Sequence, residues 1–97
     1  MTDEQLHLIA QLSKHNDSIY NMHKASEEFQ ELGLVLTQFI LKPERVDIQE
    51  IIDEIGGAMI RLEVLKRIFP LDKIKERVQF KLDKYQGYLN LEKYANI

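Results

Sequence analysis

The chain has 97 residues, 44% of them apolar and 30% charged, with a net charge of −3 and no cysteine. A chain of this length makes one domain, 1–97, with a modest core, and its apolar fraction is far from the disordered regime. The missing cysteines exclude disulfides, thiol catalysis and cysteine-ligated zinc, and the interspersed charges leave no basic face for a nucleic-acid duplex.

The first predicted element runs from Thr2 to about His15. Thr2 is a candidate N-cap, and Asp3 and Glu4 fall in the first turn, where the helix dipole favours acids. Leu6, Ile9 and Leu12 make its apolar stripe. Met1 to Gln5 are polar and acidic, unlike a secretory leader, so the expected location is cytoplasmic, or the host cytoplasm if the protein is viral. His15-Asn16-Asp17-Ser18 reads as a break, with Asp17 or Ser18 capping the next helix.

The second helix is expected over Ile19 to Leu41, with Ala25, Phe29, Leu32, Leu36 and Phe39 at the helical period. Pro43 ends it, because proline cannot donate to the ladder and restricts its predecessor. A linker, Lys42 to Val46, leads to a third helix that starts at Asp47, with Glu50 in a capping-box-like position. Ile51, Ile55, Ala58, Leu62, Leu65 and Phe69 form its stripe, interrupted by Gly56-Gly57, and Pro70 stops it. Asp72 is a plausible cap for a fourth helix carrying Ile74, Val78, Leu82 and Tyr85. Gly87 ends or weakens that helix, and the tail from Tyr88 to Ile97 has no preferred state. Short connections favour antiparallel neighbours, so the expected fold is an all-α four-helix bundle. No sustained heptad argues for a coiled coil, and no apolar run is long enough for a membrane.

Function-bearing chemistry concentrates in Glu27-Glu28-Phe29-Gln30-Glu31. Residues three and four apart share a helix face, so Glu28 and Glu31 can act together. On a wheel with Ala25 at zero, Glu28 falls near ~300° and Glu31 near ~240°, beside the apolar stripe. With Ile51 at zero on the third helix, Glu54 falls near ~300° and Gly57 near ~240°. Packed antiparallel, the two helices bring Glu28, Glu31 and Glu54 together at the rim of the core. Gathered carboxylates repel unless a cation neutralises them, and hard oxygen ligands suit Mg²⁺ or Mn²⁺. A solvated acidic flank pairing with Lys24 is the plainer alternative. Arg61, near ~280° on the same wheel, can instead form an internal ion pair with Glu54 or Glu50.

These residues resemble the MazG-like nucleoside triphosphate pyrophosphohydrolases. Glu27 to Glu31 matches the EExxE motif of that all-α group. Asp53-Glu54-Ile55-Gly56-Gly57-Ala58, closing on Leu65, Lys66, Ile68 and Phe69, is similar to its second motif helix. Phe80-Lys81-Leu82-Asp83-Lys84 resembles its K-x-x-R element, with lysine in the arginine place. The resemblance covers about Ile19 to Tyr88. It implies a MazG-like bundle completed as a homodimer or higher homo-oligomer. It also implies Mg²⁺-dependent hydrolysis of a nucleoside triphosphate to monophosphate and pyrophosphate. Glu28, Glu31 and Glu54 would be catalytic metal ligands, with Lys24, Lys81 and Lys84 on the phosphates. Gly57 stands where the family carries an aspartate, which argues for reduced or lost activity. Glu50, near ~260° on the wheel, is the candidate to compensate as a metal ligand. The alternative is a catalytically degenerate relative that binds a nucleotide or a protein partner. Lys66 is an ordinary helix-surface partner, His7, His15 and His23 lack ligand spacing, and Tyr20, Tyr85, Tyr88 and Tyr94 are helix-border residues able to stack on a base.

Overall fold

A computed structural model of the chain describes residues 1–95, with side chains described to residue 91. It is all-α, a bundle of four helices: α1 (Asp3–His15), α2 (Ser18–Leu41), α3 (Ile48–Ile68) and α4 (Leu71–Ala95), with one 3₁₀ turn (Pro43–Arg45) before α3. No helix among the described residues is long and apolar enough to cross a membrane.

Local chemistry explains the boundaries. Thr2 and Gln5 form a reciprocal capping box: the Gln5 amide donates to Thr2 Oγ1 at 3.1 Å, and the Thr2 amide donates to Gln5 Oε1 at 2.9 Å. Asp17, rather than Ser18, caps α2 by accepting from the Tyr20 amide at 2.7 Å. Asp47 caps α3 through the Gln49 amide at 3.0 Å, so the capping box expected with Glu50 is replaced by a simple cap. Asp72 does not cap α4. It lies inside the first turn, and the Ile74 amide donates to the Pro70 carbonyl at 3.1 Å. Gly87 does not end α4 either, since the helix continues to Ala95. The side chain of Tyr94 and residues 96–97 lie outside the described residues.

The α2–α3 hairpin is the most extensive packing in the chain, and α1 lies on α3. Arg67, at the far end of α3, ties α1 down by donating to the Leu6 carbonyl at 3.4 Å. It shares Glu63 with Lys66, whose Nζ is 2.8 Å from the carboxylate. These cations hold the Glu63 carboxyl below its ordinary value, chiefly through the Lys66 hydrogen bond. Lys66 is thus a helix-surface partner, as its position suggested.

The buried seam is not the one the apolar periodicity marks. On α2 the covered positions are 21, 24, 25, 28, 32, 35 and 39; on α3 they are 51, 54, 57, 58, 61, 63, 64, 65, 66 and 68. Ala25, Val35, Ala58 and Val64 are buried, and Val64 is completely so. Ile55, Leu62 and Phe69, expected in the core, are between 42% and 51% exposed. The helices are rotated relative to the expected stripe. Polar residues (Asn21, Glu28, Glu54 and Arg61) occupy the inside, and several large apolar residues face out. The 4-3 spacing along α2 was hidden because two of its members, Asn21 and Glu28, are polar.

Candidate metal centre

Glu28 and Glu31 stand one turn apart in the middle of α2, and Glu54 stands in the second turn of α3. Each offers a carboxylate oxygen, and the three oxygens lie within 4.8 Å of one another. Glu28 and Glu54 are partly buried and Glu31 is exposed, so the cluster opens to solvent on the Glu31 side. The sequence placed all three at a rim; Glu28 and Glu54 are instead members of the seam itself.

Gly57 completes the arrangement by having no side chain. A Cβ at this position would collide with Glu28 Oε2 and lie 3.2 Å from Glu28 Cδ. The Glu28 carboxylate therefore fills the room that any side chain at 57 would take. Gly56, its neighbour, has open space around its missing Cβ. Of the two glycines, the one the wheel placed beside Glu54 is the one whose missing side chain leaves room for the Glu28 carboxylate.

The electrostatics are those of a crowded anion cluster. The Glu54 carboxyl is held above its ordinary value, first by partial loss of water. The Glu31 and Glu28 carboxylates follow, then a hydrogen bond to Glu31 and the charge of Asp53. No cationic side chain relieves this among the described residues. Lys24 pairs with Glu27 at 3.3 Å and lies over the Tyr20 ring, rather than pairing with Glu28 or Glu31. Arg61 makes no ion pair with Glu54 or Glu50. Its Nη1 is buried without a hydrogen-bond partner among the described residues. An unpaired guanidinium nitrogen in the same seam as the Glu28 and Glu54 carboxylates is a polar arrangement left unsatisfied among the described residues.

Other residues singled out in the sequence fall outside the cluster. Glu50 is exposed, a turn before Glu54, and is not one of the gathered carboxylates. Lys81 and Lys84 lie on α4, which packs on α3 more sparsely than the other helices pack together. Lys84 lies 5.8 Å from the Phe80 ring centre, and Arg77 stacks on the other part of that ring at 4.3 Å. No ion pair or hydrogen bond joins either lysine to the glutamates among the described residues.

Two features near the site were missed by sequence reasoning. A shallow apolar groove lined by Met22, Ala25, Phe29, Leu65 and Phe69 opens between α2 and α3, beginning one turn from Glu28. Asn21, fully buried, donates through Nδ2 to the Ser13 carbonyl at 3.1 Å and the Asn16 carbonyl at 3.4 Å. It thereby fixes the α1–α2 corner. Its only sequence signal was the 4-3 spacing to Ala25 and Glu28.

Compared with known protein families, curated proteins and solved structures, the chain matches none.

Proposed function

We propose that the chain is a MazG-like nucleotide pyrophosphohydrolase, which uses Mg²⁺ or Mn²⁺ and water to split a nucleoside triphosphate into monophosphate and pyrophosphate. The observation that carries this reading is the set of three carboxylates within 4.8 Å, with no cationic side chain among the described residues paired to any of them. Hard oxygen donors in such a cluster fit a small divalent cation that completes its shell with water and phosphate oxygens. The residues therefore fit the metal, and Glu28, Glu31 and Glu54 would hold it. Bound there, the metal would polarise the phosphate and lower the pKa of an attacking water.

The chain's own groups have separable roles in this reading. Glu28 and Glu54 are held by the seam, which keeps two donors in place on two helices. Glu31, exposed, faces the open side from which a substrate arrives. Arg61, whose buried Nη1 has no hydrogen-bond partner among the described residues, would have to turn outward to donate to a phosphate oxygen. The groove along Phe29 offers an apolar wall for a nucleobase. Lys24, Lys81 and Lys84 are the remaining candidate phosphate contacts, and a homodimer or higher homo-oligomer belongs to the same reading.

Gly57 favours a second reading. Where a fourth acid would stand there is only the Glu28 carboxylate, so the scaffold can have kept its shape and lost turnover. In that case it binds a nucleotide or a protein partner without hydrolysis. Pyrophosphate release from ribo- and deoxynucleoside triphosphates, with Mg²⁺ or Mn²⁺, separates the two. Release that Glu28→Gln abolishes supports the enzyme. A metal-dependent thermal shift without release supports a non-catalytic nucleotide binder, and the absence of both signals overturns the enzyme.

A further inference from the structure

Two apolar stripes of this chain are left about half exposed, the first of them bordered at Met59 and Leu62 by α1. The first runs the length of α3 on the side away from the seam: Ile48, Ile52, Ile55, Met59, Leu62 and Phe69, between 42% and 54% exposed. Their spacing is the four-three alternation by which one helix accepts another. The second runs along α4: Leu71, Ile74, Val78, Leu82, Tyr85 and Leu89, in steps of three, four and four, the spacing of a nearly straight apolar line. On α4 Leu71, Val78, Leu82, Tyr85 and Leu89 are between 40% and 61% exposed, and only Ile74 of this stripe is more covered than that. A helix of 25 residues with so little packed against it would not persist in water, because helices draw most of their stability from tertiary contact.

The missing cover can be sized. The chain exposes 7950 Å². A compact monomer of its 11.5 kDa mass would expose roughly 5,800 Å². Its radius of gyration is 17.3 Å, against about 12.5 Å for a compact domain of this length. The excess, on the order of 2,000 Å² per chain, falls in the range that obligate homodimers bury.

Charge tells which surface meets which. Residues 71–91 carry five basic side chains (Lys73, Lys75, Arg77, Lys81, Lys84) and three acids, a net of +2. Residues 1–70 carry seven basic and twelve acidic side chains, a net of −5. Two such arms repel each other, whereas an arm and a body attract.

We infer that α4 is an exchange arm: in a twofold dimer the α4 stripe of one copy packs along the outer α3 stripe of the other, and reciprocally. This inference stands on area, stripe and charge, and holds whether or not the acidic cluster turns over nucleotides. Exchange of one arm in each direction closes the assembly at two copies.

The test uses the full chain. Sedimentation at micromolar concentration should give a mass twice 11.5 kDa. Val78→Glu with Leu82→Glu should give a monomer that loses up to the helical signal of the 25 residues of α4 and keeps that of α1 to α3. Because the chain has no cysteine, Gln79→Cys takes a single spin label, and labelled chains can be mixed with isotope-labelled unmodified ones. Broadening at Ile52, Ile55, Met59 and Leu62 of the unmodified copy is the expected result. A monomeric wild type overturns the inference. So does a dimer whose broadening falls on α4 alone, which would mean arm against arm, or anywhere other than the α3 stripe.

Discussion

Replacing Gly57 and Gly56 separately by alanine is the sharpest test of how the acidic cluster is built. In a helix interior each change should add about 1 kcal/mol from propensity alone. At Gly56 nothing opposes that gain, because its Cβ would meet open space. For a chain of 97 residues the expected rise in Tm is about 4–8 °C. At Gly57 the new Cβ takes the place of the Glu28 carboxylate, whose Cδ would otherwise sit 3.2 Å away. The Glu28 side chain must leave its position, at a rotamer cost of about 0.5–1.5 kcal/mol. Gain and cost then cancel to within roughly 0.5 kcal/mol, and Tm should barely move. The metal response separates the two variants further. At a Mg²⁺ concentration ten times Kd, binding should stabilise the wild type and Gly56→Ala by about 1.4 kcal/mol. Displacing a ligand's support weakens a metal by about 10–100-fold. At the lower end of that range the same Mg²⁺ gives Gly57→Ala only about 0.4 kcal/mol. Thermal melts with and without Mg²⁺ read both effects. If Gly57→Ala gains as much Tm as Gly56→Ala and keeps its Mg²⁺ shift, the packing of Glu28 against Gly57 is refuted.

The raised pKa of Glu54 implies that folding favours its protonated form. The Glu54 contribution to stability should therefore be fully present at and below its ordinary pKa of 4.5 and fall away as pH rises through the folded-state value, while the lowered pKa of Glu63 works in the opposite sense at acid pH. Glu54→Gln should flatten that fall and raise Tm at neutral pH, and melts from about pH 4 to about pH 8 check it; an unchanged slope would remove the repulsion argument. Asn21→Ala should cost about 1–3 kcal/mol in denaturant unfolding, because the Ser13 and Asn16 carbonyls lose their shared donor. A change under about 0.5 kcal/mol would mean that Asn21 does not hold the α1–α2 corner.

Helix number and helix limits were legible because local rules set them: Thr2, Asp17 and Asp47 cap, and Pro43 and Pro70 interrupt. Gly87 left two outcomes open, ending the helix or weakening it, and the helix runs through it to Ala95. The grouping of Glu28, Glu31 and Glu54 was also legible, because helical spacing plus an antiparallel hairpin suffices to bring them together. Which face turns inward was not. Apolar periodicity marks a face that avoids water, and it cannot distinguish a chain's own core from a surface left uncovered in one copy. On α3 it selected Ile55, Leu62 and Phe69, which are exposed, over Glu54 and Arg61, which are not. The use of Gly57 was equally invisible, because only the position of the Glu28 carboxylate sets it apart from Gly56.

The hairpin, with carboxylates along its apolar seam and half-exposed apolar stripes outside, has a consequence for how its stability depends on concentration. A lone copy keeps its repelling carboxylates and leaves its apolar stripes in water, so dilution works against the folded state. If the α4 arms exchange as inferred, melting temperature should climb with protein concentration, and a scan that does not move with concentration would count against the exchange.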